Sequence, residues 1–232
     1  MSEIKGVYAL KYAESTIPES WVFVGGDENV RIPISFTVYL IETEDKRILV
    51  DAGCDTMPGF DMKYFVSPVE VLAMAGYSAE DITDVIATHA HHDHIEAVKH
   101  FENAVVHIQA LEYESSQKKY KYIPDGFSLN VFEDEAELCG VKVKRISGHA
   151  KGSCIVEFSC GGRQYVICGD ECYSRRCLTD KIPTGSSFDP KKSREFVEKY
   201  SDEKYTALLC HDPDILPGQN GVLKIFGIDL ER

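Results

Sequence analysis

The sequence lacks long apolar runs. None of the apolar stretches in the 232 residues is long enough to span a bilayer. Residues 1–5 also lack the basic stretch and following apolar region that are typical of a secretory signal peptide. We therefore expect a cytoplasmic protein that has no membrane partner.

Basic residues are scarce as well. Lys and Arg number 25 against 38 Asp and Glu, which gives a formal net charge of −13 at pH 7. Nucleic-acid binding depends on clustered Lys and Arg that neutralise phosphates, so this charge disfavours a nucleic-acid partner and phosphodiester substrates. Solubility explains most of the acidity.

Cysteine pairs with zinc-ribbon spacing are absent, as are internal repeats and low-complexity tracts. We expect most of the 8 scattered cysteines to be small buried side chains in a reducing compartment rather than disulfides. This interpretation includes Cys172 and Cys210, which adjoin candidate ligands described below. A hydrophobic content of 44% with 27% charged residues is ordinary for a globular protein, and residues 1–232 predict a single domain.

What the chain has instead is a dense cluster of metal-capable side chains. The run His89-Ala90-His91-His92-Asp93-His94 places five of them in six residues, directly after the apolar segment 84–88. Imidazole and carboxylate suit zinc and similar first-row ions. A solvated turn that is rich in histidine is the alternative, but 8 histidines in 232 residues make so tight a chance cluster uncommon.

Three further candidate ligands end or follow apolar runs downstream. They are His149 after residues 141–146, Asp170 after residues 165–168, and His211 after residues 207–210. The runs predict strands whose ends carry ligands, although each residue alone also fits an ordinary polar strand end. Seven candidate ligands result: His89, His91, Asp93, His94, His149, Asp170 and His211. Seven are too many for one tetrahedral zinc and suit two ions that share a bridging carboxylate.

In this order and at these intervals, the motifs resemble those of the metallo-β-lactamase superfamily of hydrolases. The resemblance extends from about Val7 to Asp214 and includes residues 39–43 and 48–53, which are similar to the hairpin that precedes the metal motif in that fold. Within the superfamily, the chain is most similar to the N-acyl-homoserine lactone hydrolases, or metallo-γ-lactonases. The similar segments are Ala75-Gly76-Tyr77, Leu111-Glu112-Tyr113-Glu114, Asp170-x-x-Tyr173 and Phe188-Asp189-Pro190.

The order of predicted elements and the resemblance both indicate an α/β fold, an αββα sandwich of the metallo-β-lactamase type. Predicted strands cover residues 36–43, 47–50, 104–108, 154–159 and 163–168. Predicted helices cover residues 69–75, 95–101, 111–120 and 190–200. The strand ends are expected along one edge, where loops bring the ligands together.

The resemblance implies how the ligands are shared. His89, His91 and His149 would hold one metal, Asp93, His94 and His211 the other, and Asp170 would bridge two divalent ions. We expect Zn²⁺, with Fe, Mn or Co as alternatives. The implied reaction is opening of a small lactone, such as an N-acyl homoserine lactone, by a hydroxide between the metals. Hydrolysis of that substrate class is quorum quenching.

Two residues carry implied catalytic roles beyond metal binding. Asp93 would also orient the nucleophile, and Tyr173 would donate to the developing oxyanion, although it also fits one of the 12 tyrosines that simply pack. Asp51 fits either a support for a histidine ligand or a hairpin cap. His92, His100 and His107 are expected to support the ligands without binding a metal or to be structural.

Some features depart from the family pattern. Ile95-Glu96-Ala97 stands where small residues are usual, which predicts a bulky side chain and a carboxylate near the site entrance. Residues 54–67 are shorter than the lid region of the lactonases, and Gly152-Ser153 replaces a glycine-histidine pair. These differences leave acyl-chain recognition open.

Two alternative functions remain open on the sequence. One is a thioester hydrolase of the glyoxalase II type, and the other is a non-catalytic metal-binding regulator, which would be expected to lose at least one ligand. The expected partner is a small-molecule ester or lactone, and the expected assembly is a monomer or homodimer.

Overall fold

The computed structural model describes residues 3–119 and 121–227, with Lys119 described by its backbone alone. The described strands are, in chain order, β1 Ile4–Pro18, β2 Arg31–Thr43, β3 Arg47–Val50, β4 Asp84–Ala87, β5 Val105–Gln109, β6 Ser128–Phe132, β7 Glu135–Leu138, β8 Val141–Arg145, β9 Cys154–Cys160, β10 Arg163–Ile167, β11 Tyr205–Leu208 and β12 Gly221–Gly227. The α-helices are α1 Glu19–Val22, α2 Pro68–Met74, α3 His92–Ile95, α4 Ala110–Lys119, α5 Arg175–Thr179 and α6 Pro190–Tyr200. Short 3₁₀ helices lie at Ala79–Asp81, Glu96–His100 and Gly169–Glu171.

The strands form two sheets. Seven strands lie in the order β12-β1-β2-β3-β4-β5-β6, and five lie in the order β11-β10-β9-β8-β7. The run from β3 to β6 is parallel, and β10 is parallel to β11. Parallel neighbours end at the same edge of a sheet. The loops after β3 and β4 therefore lie side by side, as do the loops after β10 and β11.

Alternate residues of the central strands are buried on opposite faces. In β2, Tyr39 and Ile41 pack between the sheets, whereas Leu40 packs on the outer face with the helices. The α2 helix covers the first sheet at β1 and β12, and α6 covers the second sheet, where Tyr200 donates to Glu157 of β9. Two packed sheets between helical layers confirm the predicted αββα sandwich.

Local signals place several elements where the sequence predicts them. The β2–β3 hairpin turns at residues 44–46, closed by the Thr43 amide and the Lys46 carbonyl. Gly161 and Gly162 both have positive φ, so the turn between β9 and β10 suits glycine. The α6 helix begins at Pro190, and the Asp189 carboxylate accepts hydrogen bonds from the amides of the first turn.

The helix predicted over residues 95–101 is wrong in its bounds and type. The chain forms α3 at His92–Ile95 and then the 3₁₀ helix at Glu96–His100. The reason is competition for backbone groups: the His94 carbonyl accepts from the Ala52 amide at 2.7 Å, and the Ala97 amide donates to Gly53. A continuous α-helix would need the His94 carbonyl for its own ladder.

The helix predicted over residues 111–120 corresponds to α4, although Tyr120 lies outside the described residues. Four strands were not predicted: the fifteen-residue β1, and β6, β7 and β12, each of which lies at the edge of a sheet. Seven of the cysteines are buried and Cys139 is half-buried, and none of them forms a disulfide. Within the described residues, no helix has both the length and the apolar character needed to cross a membrane.

Candidate metal centre

The metal motif lies at the carboxyl edge of the first sheet. β4 ends at Ala87, the turn that follows carries His89 and His91, and α3 begins at His92. One short helix then places Asp93 and His94 on the inner side of the turn. The downstream residues arrive from the second sheet, with Asp170 after β10, His211 after β11, and His149 in the loop between β8 and β9.

The first group of ligand atoms comprises His89, His91, His149 and Asp170, with one atom from each lying within 4.8 Å of the others. The Nδ1 atom of His91 lies 3.0 Å from Nε2 of His89 and 2.9 Å from Nε2 of His149. The Oδ2 atom of Asp170 lies 3.6 Å from the same His89 nitrogen and 3.4 Å from that of His149.

The second group comprises Asp93, His94 and His211, and Asp170 completes it with its other oxygen. Asp170 Oδ1 lies 3.0 Å from Nε2 of both His94 and His211. Asp93 Oδ2 lies 3.6 and 3.5 Å from the same two nitrogens. The structure thus brings all seven sequence-predicted ligands together, and Asp170 presents one oxygen to each group.

Neighbouring groups define which nitrogen each histidine presents. Nδ1 of His149 donates to the Ser186 carbonyl at 2.6 Å, and Nδ1 of His211 donates to the Ser35 carbonyl at 2.8 Å. Nδ1 of His94 lies 2.7 Å from Asp51 Oδ2. Each of these histidines therefore turns an Nε2 lone pair toward its group, which is the form that binds metal.

Asp51 supports both groups. Besides His94, it accepts from the Thr88 amide at 2.8 Å and from the Thr88 hydroxyl at 2.9 Å. Since the Thr88 hydroxyl donates its proton to Asp51, it can only accept from His89 Nδ1, which lies 3.1 Å away. His89 therefore carries its proton on Nδ1 and directs the Nε2 lone pair toward the first group. Asp51 has φ +61°, a left-handed conformation that is uncommon for aspartate. Support of ligands, rather than a hairpin cap, is the role that these contacts favour.

The donor atoms fit divalent metal ions. Nε2 of His94 and Oδ1 of Asp170 are buried without a hydrogen-bond partner in the described chain, although they lie 3.0 Å apart. Nitrogen atoms in a tetrahedral zinc site are separated by about 3.3 Å, given Zn–N bonds near 2.0–2.1 Å. The contacts in the first group are close to this spacing, and one proton cannot satisfy three converging nitrogens.

The pKa directions agree with cation binding. Burial, reinforced by neighbouring imidazoles, lowers the pKa of His89 well below its ordinary value, and burial holds the pKa of His91 at about 4. Both rings are therefore neutral, as ligands must be. Burial also opposes the charged form of His94, but Asp170, Asp51 and Asp93 outweigh it and raise the pKa of His94. Their negative charge favours a cation in the second group.

The two groups form the floor of a cavity of about 280 Å³. Its walls are largely apolar, with these side chains: Ile17, Trp21, Ile34, Phe36, Met57 and Phe60. The buried Tyr173 also lines the cavity. Its hydroxyl donates to Asp170 Oδ2 at 2.7 Å, and its ring stacks on His211 with centroids 5.0 Å apart and planes at 14°. A small, mostly apolar site with convergent polar groups is typical of ligand binding.

The structure places the other histidines away from both groups. Although His92 lines the cavity, its ring nitrogens contact the Tyr122 hydroxyl at 2.9 Å and the Thr56 carbonyl at 2.6 Å. His100 lies 2.8 Å from Asp55, and His107 lies 2.9 Å from Asp84. These contacts are structural, as the sequence predicts for these positions.

The predicted position of Ile95 and Glu96 at the site entrance is wrong. Ile95 is fully buried in the hydrophobic core, and neither residue lines the cavity. Glu96 instead accepts from the Asp55 amide at 2.8 Å and pairs with Lys99. Ile95 ends α3 and Glu96 begins the 3₁₀ helix, and both side chains lie away from the two groups of candidate ligands.

Sequence reasoning missed two buried carboxylates beside the first group, Glu112 and Glu171. Glu112 accepts from the Ala90 amide at 2.9 Å and from the Gly152 amide at 2.7 Å. Glu171 directly follows Asp170, is fully buried, and has a pKa that burial raises. The glycines at 148 and 152 were the available signal, since a glycine often marks close approach of another group.

Comparison with known proteins gives one family. The model of the metallo-beta-lactamase superfamily matches residues 35–210. An N-acyl homoserine lactonase of Bacillus cereus is 26% identical over 201 residues, which cover 75% of this chain and 80% of that protein.

Solved structures show the same fold. A quorum-quenching N-acyl homoserine lactone lactonase superposes with a TM-score of 0.80 at 22% identity, covering 94% of this chain and 98% of that chain. AidC, a dizinc quorum-quenching lactonase in complex with a product, superposes with a TM-score of 0.72 at 19% identity, covering 92% of each chain.

Proposed function

Because the chain belongs to the metallo-beta-lactamase superfamily, we propose that it is a dinuclear metal-dependent lactonase that opens N-acyl homoserine lactones or similar small lactones. The observation that carries this proposal is the placement of Asp170. Its two oxygens face two separate groups of histidine nitrogens, each oxygen within 3.6 Å of two of them. Such a carboxylate suits two ions held side by side at the floor of a cavity.

We propose that His89, His91 and His149 hold one ion and that Asp93, His94 and His211 hold the other, with Asp170 shared. Zn²⁺ is the proposed metal, since the set is rich in imidazole and the nitrogen separations of 2.9 and 3.0 Å in the first group are near those that a tetrahedral zinc site would need. When bound, two such ions supply a water of lowered pKa as the nucleophile and polarise the substrate carbonyl. The hydrogen bonds that the rings donate to Asp51, Ser35 and Ser186 pre-orient them, so little reorganisation accompanies the reaction.

Tyr173 is the proposed donor to the substrate carbonyl. Its hydroxyl lies at the floor of the cavity beside Asp170, within reach of a carbonyl placed between the two groups. Donation to the oxygen that becomes negative stabilises the transition state more than the ground state. Asp93 is half-buried at the cavity and combines metal binding with orientation of the attacking water.

A neutral acyl lactone suits the rest of the cavity. The walls present Ile17, Trp21 and Phe60 together with other apolar side chains, and no Lys or Arg lies among the lining residues of the described chain. A lactone ring at the metal groups therefore leaves its acyl chain to contact an apolar wall. The similarity to the Bacillus cereus lactonase supports the same substrate class.

A substrate panel tests this proposal against the thioester alternative. Zinc-reconstituted protein is assayed with N-hexanoyl homoserine lactone, a thioester and a phosphodiester, with Asp170→Asn as the control for metal-dependent turnover. We expect the lactone to have the highest kcat/KM and the Asn variant to lose activity on every substrate. A preference for the thioester or the phosphodiester would overturn the lactonase assignment. If neither the wild type nor Asp170→Asn turned over any of the three substrates, the alternative of a non-catalytic metal-binding regulator would be favoured.

Cytoplasmic location and a single domain over residues 1–232 belong to the same proposal. The composition and the two sheets packed in one sandwich support them. Fractionation of the native host cell and limited proteolysis of the purified chain test the two statements separately.

A further inference from the structure

The loop that carries His149 is irregular and needs support. It spans residues 148–153 between β8 and β9, and we call it the His149 loop. Within the loop, the Ser153 amide donates to the Ala150 carbonyl at 3.3 Å. The ring of His149 is oriented by the Ser186 carbonyl. The carbonyls of Gly148 and His149 accept from the Phe188 amide at 2.7 and 3.2 Å, which leaves the amides of the two residues to be held by another group. The position of the ligand nitrogen depends on what holds that backbone.

Glu171 holds the start of this loop. Its Oε1 atom accepts from the Gly148 amide at 3.1 Å and from the His149 amide at 3.2 Å, and the Ser153 hydroxyl lies 2.5 Å away. Glu171 follows Asp170 in the same 3₁₀ helix, Gly169–Glu171. One short helix therefore delivers the shared carboxylate and the residue that fixes the backbone of another ligand.

Gly148 is required by this close approach. A Cβ atom at Gly148 would lie 2.1 Å from Glu171 Oε2 and 2.7 Å from Ser193 Oγ. The φ of Gly148 is outside the left-handed region, so backbone conformation does not explain the glycine. The absence of a side chain at Gly148 instead lets the carboxylate reach the two amides.

The far end of the loop is held separately. Glu112, from α4, bonds the Gly152 amide and also the Ala90 amide between His89 and His91. Its contacts tie the loop to the metal motif but lie away from His149 itself. Glu171 is thus the carboxylate in contact with the backbone of the ligand.

Burial of the Glu171 carboxyl group lowers the stability of the fold, so a purely structural role does not explain this residue. It is fully buried, it pairs with no Lys or Arg in the part of the chain that the structure describes, and its Oε2 atom has no hydrogen-bond partner there. Burying a carboxyl group in this way destabilises a protein, and an apolar side chain of similar size is often better. A gain elsewhere has to offset this cost.

We propose that Glu171 is a positioning residue for the first metal group, acting through the backbone of His149. The inference rests on the proposed function, because it assumes that the first group holds a metal. By fixing the amides of Gly148 and His149, the carboxylate places the His149 ring so that its Nε2 meets Nε2 of His89 and Nδ1 of His91. Loss of the acceptor lets the loop shift while the second group keeps its ligands.

Paired substitutions test the proposal. Glu171→Met keeps the volume and removes the acceptor, whereas Glu171→Gln keeps an acceptor oxygen. Zn²⁺ affinities of the two binding steps are measured by chelator competition. We expect the Met variant to bind one of its two ions ten- to a hundredfold more weakly, as is typical when a supporting contact to a ligand is lost. The Gln variant should stay within about threefold of wild type. Glu157→Met, on β9 away from the site, is the control and should change neither step.

A double-mutant cycle assigns the effect to the first group. His149→Ala should remove the same binding step, and in that background Glu171→Met should have no further effect. Equal Zn²⁺ affinities in wild type and Glu171→Met, or additive effects in the cycle, would overturn the proposal. Should the Met variant not fold, Ser153→Ala takes its place: an affinity loss of about three- to tenfold supports the proposal, and an unchanged affinity overturns it. A wild type that binds only one ion would instead overturn the two-metal site.

Discussion

Replacing Tyr173 with Phe removes one oxygen atom and leaves the ring in place. The ring is only 8% exposed and stacks on His211 with centroids 5.0 Å apart, a packing that Phe retains. The hydroxyl donates to Asp170 Oδ2 at 2.7 Å. The substitution therefore isolates the hydroxyl as a hydrogen-bond donor.

The expected loss is in turnover. Removal of one oxyanion donor typically costs about 2.7–4 kcal/mol of transition-state stabilisation, and a metal that also polarises the carbonyl offsets part of this. We expect kcat for N-hexanoyl homoserine lactone to fall by about ten- to a thousandfold, with little change in KM. Zinc content should remain at the wild-type value, and the melting temperature should change little because no packing is lost.

Steady-state kinetics measure turnover, elemental analysis measures zinc content, and thermal unfolding measures the melting temperature, all on the same preparations. Tyr165→Phe is the matched control, because Tyr165 is also buried but stacks on Phe158 in the second sheet, away from the cavity. Unchanged kinetics in Tyr173→Phe would refute the donor role. A collapse of stability would identify the hydroxyl as a structural hydrogen-bond group instead.

Further predictions concern stability and metal binding. Burial raises the pKa of Asp84, but hydrogen bonds from His107, Lys46 and Thr83 outweigh it and hold the pKa at about 2. Since this pKa lies below the ordinary 3.8, the charged form stabilises the fold above about pH 4, and the effect is lost as pH falls toward 2. Asp84→Asn should therefore lower the free energy of unfolding by about 2 kcal/mol at pH 7. In denaturant titrations, the difference between wild type and variant should shrink between pH 4 and pH 2, and a difference that is independent of pH would contradict this. Asp51→Ala should weaken Zn²⁺ binding about ten- to a hundredfold, because it removes the contacts to His94 and Thr88. Chelator competition measures this affinity, and a wild-type value would show that Asp51 is only a cap. Dialysis against a chelator should abolish lactone hydrolysis and lower the melting temperature, both restored by Zn²⁺; activity that survives full metal removal would contradict a metal-dependent reaction.

The meeting of the seven candidate ligands was predictable from sequence because they coincide with strand ends along the chain. The parallel register of β4 beside β3, and of β11 beside β10, takes the residues after each strand to one edge. Local order along the chain therefore indicates which side chains meet. The position of Tyr173, three residues after Asp170, follows from the same strand end.

What sequence did not predict depends on long-range contacts. Ile95 and Glu96 were expected near the site entrance, yet the hydrogen bond from Ala52 to the His94 carbonyl turns them into the core and toward Asp55. The contacts of Glu171 with the His149 loop join residues 18 to 23 positions apart. Neither periodicity nor spacing contains information about such pairs, since they arise only when the sheets pack.

The zinc content of the reconstituted protein, measured by elemental analysis beside that of Asp170→Asn, tests the central claim most directly. Because Asp170 presents one oxygen to each group, we predict two zinc ions per chain in wild type and a lower content in the Asn variant. A wild-type content that stays near or below one, together with no change in Asp170→Asn, would contradict the shared site.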